Sequence, residues 1–174
     1  MLQKPKPVSL LPIKYYPMIA ALPYASLDPL SVDLAPFCVD GKARLTYPGF
    51  EDVTFLTPPL PFLYYDEPTA RIVFDVSSQR AFATMLTALQ GRIASFLPKK
   101  DVPLLPLYSR DKGTLTLFTP ASMTLQRNDG TLAPLQAQIG APVRCVVRLT
   151  SVCHHASNTY RIQHSIIKLF ITSI

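Results

Sequence analysis

Proline sets the limits on what this chain can become. Eighteen of the 174 residues are Pro against six Gly, and twelve of those Pro precede residue 70. Pro has no backbone N–H and a fixed φ, so helix interiors and central strands exclude it. An all-helical bundle is therefore disfavoured, and the first third reads as short strands joined by rigid connections. The chain is 48% hydrophobic and 16% charged, which provides for one substantial core and argues against extensive disorder. No uninterrupted apolar run reaches the roughly eighteen residues that a spanning helix needs.

Local patterns fill in that outline. Residues 43–47 (ARLTY) and 53–57 (VTFLT) alternate in the strand sense around Pro48-Gly49 and predict a hairpin. In residues 70–76, Ala70, Ile72, Phe74 and Val76 share one face of a further strand. Phe82, Met85, Leu86, Leu89, Ile93 and Phe96 recur at three- and four-residue spacing, with Ser77 or Ser78 as candidate N-cap and Pro98 as the stop, so this stretch is an amphipathic helix. Strands follow at 114–118, 122–126, 143–152 and 160–171, with Asn128-Asp129-Gly130 as a turn. The expected fold is mainly β with one packed helix. A small closed barrel is the economical architecture, because closure removes sheet edges. Residues 1–40 are expected to form an extended Pro-rich arm and residues 41–174 the folded domain. Pro7, Pro12, Pro17 and Pro23, with Lys14, interrupt what would otherwise resemble a signal peptide. The arm's apolar residues (Leu10, Leu11, Ile13, Tyr15, Tyr16, Met18, Ile19) are expected to lie across the body or dock on a partner subunit.

Charge is unevenly distributed. Residues 1–98 balance, and the whole +6 excess lies in residues 99–174, where Asp129 is the last acid. Such a half-molecule attracts polyanions, of which nucleic acid is the commonest; the plainer alternative is that the charge serves solubility. Period-two geometry sends Val143, Cys145, Val147 and Leu149 to the core and Arg144, Val146 and Arg148 to the other face. The same rule buries Leu115 and Leu117 and turns Thr116 and Phe118 outward. Arg interleaved with aromatic rings suits single strands, since phosphates require cations and unpaired bases stack on rings. Alternatively, Phe118 caps the core and both Arg face plain solvent. On the last strand, alternation places Arg161 and Lys168 on opposite faces.

Enzyme chemistry finds no support in the motifs. There is no GxxxxGK loop, nucleophile elbow or HExxH pair. Cys145 with Cys153-His154-His155 would need a sharp bend to make a tetrahedral metal site, so no metal or other cofactor is expected. His164 reads as a packed or phosphate-facing histidine. Three Cys without CxxC spacing favour a reducing compartment.

Taken together, the strands 143–152 (VRCVVRLTSV) and 160–169 (YRIQHSIIKL), with VTFLTPPLPF, ARIVFDVSS, AFATMLTALQGRIASF and PLYSRDKGTLTLF upstream, resemble the single-stranded DNA-binding proteins of large eukaryotic DNA viruses, which are similar in fold to the OB-fold single-strand binders of some tailed phages. The resemblance spans roughly residues 40–171. It implies an OB-fold-like barrel and a non-enzymatic binder of single-stranded DNA with little sequence preference, acting in viral DNA replication or recombination. On this reading Arg110, Lys112, Arg144, Arg148, Arg161 and Lys168 contact phosphates, and Tyr108, Phe118 and Tyr160 offer stacking surfaces. The expected location is the host nucleus or a cytoplasmic viral replication site. The family commonly has Trp on its two closing strands, whereas this chain has none and carries Cys153, His154 and His164 there. A fold kept while its rings are lost also suits a structural or interaction protein, such as a minor component of a virion. In that role the arm would mediate homo-oligomer or assembly contacts.

Overall fold

Two long runs of alternating apolar and polar side chains organise the molecule. The computed structural model describes residues 21–119 and 122–171. In chain order the elements are β1 (Leu22–Pro23), β2 (Asp33–Leu34), β3 (Lys42–Thr46), β4 (Val53–Leu56), β5 (Leu60–Asp66), β6 (Arg71–Asp75), α1 (Arg80–Ser95), β7 (Leu104–Leu105), β8 (Tyr108–Ser109), β9 (Thr114–Phe118), β10 (Thr124–Gln126), β11 (Leu132–Pro134), β12 (Pro142–His155) and β13 (Thr159–Ile171). Among the described residues the fold is mainly β with a single α-helix. The sheet runs β11-β10-β13-β12-β5-β6-β9-β8, and β3 and β4 also pair with β12.

β12 is the spine, and its inward residues are those that alternation selects: Val143, Cys145, Val147 and Leu149 are all buried. Burial pushes the Cys145 thiol far above its usual range, so this cysteine is a core residue and not a nucleophile. β13 pairs antiparallel along almost the whole of β12, with register shifts at Val146/Val147 and Leu149/Ser151. Each shift leaves one residue over, Ile167 on β13 and Thr150 on β12, and each reverses the inward-outward pattern beyond it. Val152 is therefore buried on β12, and Ile162, Ile166 and Leu169 on β13. The bulge at Ile167 corrects the expectation for Arg161 and Lys168, which both fall among the exposed residues of β13.

The hairpin predicted at 43–57 does not form. β3 pairs with β12 at Ser151–Cys153, β4 at Val146–Leu149 and β5 at Pro142–Val143. These three strands are successive pieces of one interrupted partner for the long edge of β12, since a long strand leaves a correspondingly long row of N–H and C=O groups to satisfy. Residues 47–52 loop out between β3 and β4 around a Tyr47–Phe50 bridge, with Gly49 at a positive φ of 81°.

α1 packs Phe82, Met85, Leu86, Leu89 and Ile93 into the core, as its spacing dictates. Phe82 meets Tyr24 at 5.2 Å and Phe55 at 6.3 Å between ring centroids. Gln79, and neither Ser, occupies the N-cap; the Ser77 N–H donates to Asp75 instead. At the other end the Lys100 Nζ donates to the Ser95 carbonyl at 2.8 Å, a cation placed against the negative end of the helix. Of the segment expected as an arm, residues 1–20, including Leu10 to Ile19, lie outside the described residues. Within 21–40, β1 pairs with β4, β2 pairs with β3, and Leu27 and Val32 join the core.

Candidate nucleic-acid interface

Closure of the barrel would require β9 to pair with β13, and among the described residues no ladder joins them. Two features keep these strands apart. The outer edge of β13 is taken at Tyr160–Arg161 by β7 and at Leu169–Phe170 by β10. The segment 104–109 then crosses from β13 to β9, where β8 pairs with Thr114–Leu115. Pro106 lies in the middle of the crossing, with no N–H to extend either ladder. The crossing is held from behind by Gln90 on α1, whose Oε1 accepts from the N–H groups of Leu107 and Tyr108, each at 2.8 Å, and whose Nε2 donates to the Tyr108 carbonyl.

The opening is a cleft of about 750 Å³. One wall is β9 with the turn before it, the opposite wall is Arg161 to His164 of β13, and Leu105 to Leu107 and the Cys153–His155 end of β12 complete the lining. Arg71, Lys112 and Arg161 bring cations to it, and no carboxylate lines it among the described residues. Phe118 is 46% exposed and lies between two partners. Arg71, its register partner on β6, holds the guanidinium carbon 5.8 Å from the ring centroid, and the His164 ring lies 5.8 Å away on the other strand. Asp66 is opposite Arg71 on β5, but its carboxylate accepts from the Thr69 hydroxyl and lies outside the lining.

His164 is part of the seam itself. Its Nε2 accepts the Phe118 N–H at 2.9 Å, and its Nδ1 lies 3.2 Å from the Ile162 carbonyl. Acceptance at Nε2 requires that nitrogen to be unprotonated, so the proton resides on Nδ1 and is donated to Ile162. Burial lowers the His164 pKa from its ordinary 6.5, against the opposing effect of the Ile162 carbonyl. His164 is thus a packed histidine, one of the two roles its sequence context allowed.

The nine residues singled out by sequence do not all meet. Lys112, Phe118 and Arg161 converge on the cleft. Arg110 is exposed on the same turn but does not line it. Arg144 donates from Nε to the Thr57 carbonyl at 3.0 Å, and Arg148 holds Nε 3.2 Å from the Asp52 carboxylate. Arg144 is nine residues along β12 from Cys153, about 30 Å at ordinary strand rise. Lys168 lies toward that far end, over the Phe170 ring. Tyr108 and Tyr160 are 8% and 1% exposed, so neither presents a ring face to a base. Tyr160 packs on Phe37 and His154 instead, in phase with the other inward residues of β13. Arg71 is the contributor that sequence reading passed over. Its signal was alternation, which turns it away from Ile72 and Phe74, but only the β6–β9 register places it beside Phe118.

No protein-family model matches the chain, and no curated protein matches it. Among solved structures, it is similar to the single-stranded DNA-binding protein from bacteriophage Enc34 in a C-terminally truncated form, with a TM-score of 0.48 and 10% sequence identity, over 82% of this chain and 95% of that one. A likeness of that size assigns no family to this chain.

Proposed function

We propose that this protein binds single-stranded nucleic acid, DNA on the sequence resemblance, in the seam between β9 and β13. The observation that carries the reading is the composition of the cleft: Arg71, Lys112 and Arg161 surround a half-exposed Phe118, and the lining has no carboxylate among the described residues. Cations attract the phosphates, and the ring offers a surface on which any unpaired base can stack, so little sequence preference follows. The volume suits a small ligand, about a nucleotide or two, and not a double helix. On the same reading the protein acts in viral DNA replication or recombination, in a reducing compartment of the host nucleus or cytoplasm, on an opened variant of the OB-like barrel.

Competition between a fluorescent single-stranded homopolymer and unlabelled strands tests this directly. The single strand should compete far better than duplex of matching length. Phe118→Leu should weaken single-strand binding by about tenfold, the value of one lost stacking contact, while leaving the weak duplex competition unchanged. Equal competition by duplex, unaffected by Phe118→Leu, would remove the stacking claim. Absence of binding to either polymer would favour the structural or assembly role.

A further inference from the structure

We infer that His164 is a positioning residue: as a neutral imidazole it latches the edge of β9 to β13 and holds Phe118 in place as the stacking surface, so that protonation of His164 releases the seam and weakens binding. The inference rests on the proposed single-strand site and adds to it a proton-linked control.

The geometry is specific. β9 and β13 share no ladder, and the Phe118 N–H to His164 Nε2 bond ties them at the residue that carries the ring. Both imidazole nitrogens are committed within the protein, one to Phe118 and the other to Ile162, so His164 has no nitrogen left for a base or a phosphate. A proton on Nε2 would convert an acceptor into a donor that faces another donor, the Phe118 N–H, and the tie would be lost. The surroundings favour the neutral form. The charged and titratable groups facing the cleft are Arg71 from β6, Lys112 from the turn before β9, Cys153 and His155 from β12 and Arg161 from β13. The residue opposite His164 on β12 is Leu149. No facing carboxylate among the described residues would reward a second proton. Because the folded protein holds this histidine below its ordinary 6.5, its contribution to stability is complete above that pH and declines as pH falls through the lowered value.

The consequence runs against simple electrostatics. Acid makes a protein more positive and by simple electrostatics should tighten binding of a polyanion, whereas release of the latch should loosen it. Binding of a fluorescent oligothymidylate at about 1 M salt, where screening leaves mainly stacking, separates the two. As pH falls from about 8 to about 4, through the lowered pKa of His164, the wild type should weaken by about five- to tenfold. His164→Gln, whose amide oxygen can still accept the Phe118 N–H and does not titrate, should bind like wild type at the higher pH and show no change on acidification. His164→Leu should bind weakly at both. Wild-type binding that holds or tightens in acid would overturn the latch. Nitrogen NMR of the imidazole in the protein without DNA provides an arm that needs no binding: a neutral Nδ1–H ring at neutral pH is expected, and an Nε2–H or protonated ring there would overturn the proposal. If no oligonucleotide binds at any pH, the single-strand reading fails, and the control of binding fails with it; the NMR result then decides whether the latch itself exists.

Discussion

The two sides of the β12–β13 hairpin treat arginine differently. Toward β3 and β4, Arg44 lies 3.9 Å from Glu51, Arg148 lies 3.2 Å from Asp52, and Arg144 is bonded to the Thr57 carbonyl. Toward the seam, Arg161 shares a cleft with Arg71 and Lys112, and the lining has no carboxylate among the described residues. On the first side Asp52, an acid of the first half of the sequence, neutralises Arg148 of the second half and Glu51 lies near Arg44, whereas among the described residues no acid lines the seam. A basic excess in a sequence can serve as a binding surface only where topology keeps the acids away, and on the proposed reading the incomplete closure between β9 and β13 does that here.

The sharpest way to break this contrast is to strip each side in turn. Replacing Arg71, Lys112 and Arg161 together by Ala should weaken single-strand binding by about a hundredfold at about 0.1 M salt, if each neutralises one phosphate. Replacing Arg144 and Arg148 together should change it by about twofold or less. Equal losses in fluorescence titrations of the two variants would erase the difference between the sides.

The next effect tests whether the seam depends on its backing. Gln90→Leu would leave the N–H groups of Leu107 and Tyr108 without their acceptor. It should cost about 2 kcal/mol in denaturant unfolding and also weaken binding, because Leu105 to Leu107 form a wall of the cleft. Stability lost with binding intact would show that this wall is dispensable. The smallest effect belongs to the neutralised side. Asp52→Ala removes the partner of Arg148 at a partly exposed site and should cost about 1 kcal/mol or less, with no gain in binding beyond about twofold. A large gain would mean that Arg148, once unpaired, reaches the nucleic acid, and the separation of the two sides would fail.

What the sequence disclosed follows the range of the interactions involved. Alternation located the buried face of β12 and the outward turn of Phe118, and helical spacing located the buried face of α1, because both depend on neighbours within a few residues. Tyr47-Pro48-Gly49-Phe50 has hairpin chemistry, yet β3 and β4 each satisfy their backbone groups on β12, about a hundred residues away, and nothing local announces that choice. The extra residues Thr150 and Ile167 look like any other strand residues, so the phase change that brings Lys168 to the exposed side was invisible. Nothing local marks Tyr108 and Tyr160 as buried, because a tyrosine's amphipathic character suits either environment. Three of the four members of the cleft's cation–ring cluster, Lys112, Phe118 and Arg161, were legible. Arg71 and the structural role of His164 needed the register of β6 on β9 and the approach of β9 to β13.

The slope of binding against salt puts the central contrast to the most direct test. Each phosphate neutralised on a single strand contributes about 0.7 to the fall of log affinity with log salt, so the Arg71, Lys112 and Arg161 triple variant should show a slope shallower than wild type by about two. The Arg144 and Arg148 double variant should keep the wild-type slope. A triple variant with an unchanged slope, or a double variant with the shallower one, would contradict the assignment of the seam as the nucleic-acid site.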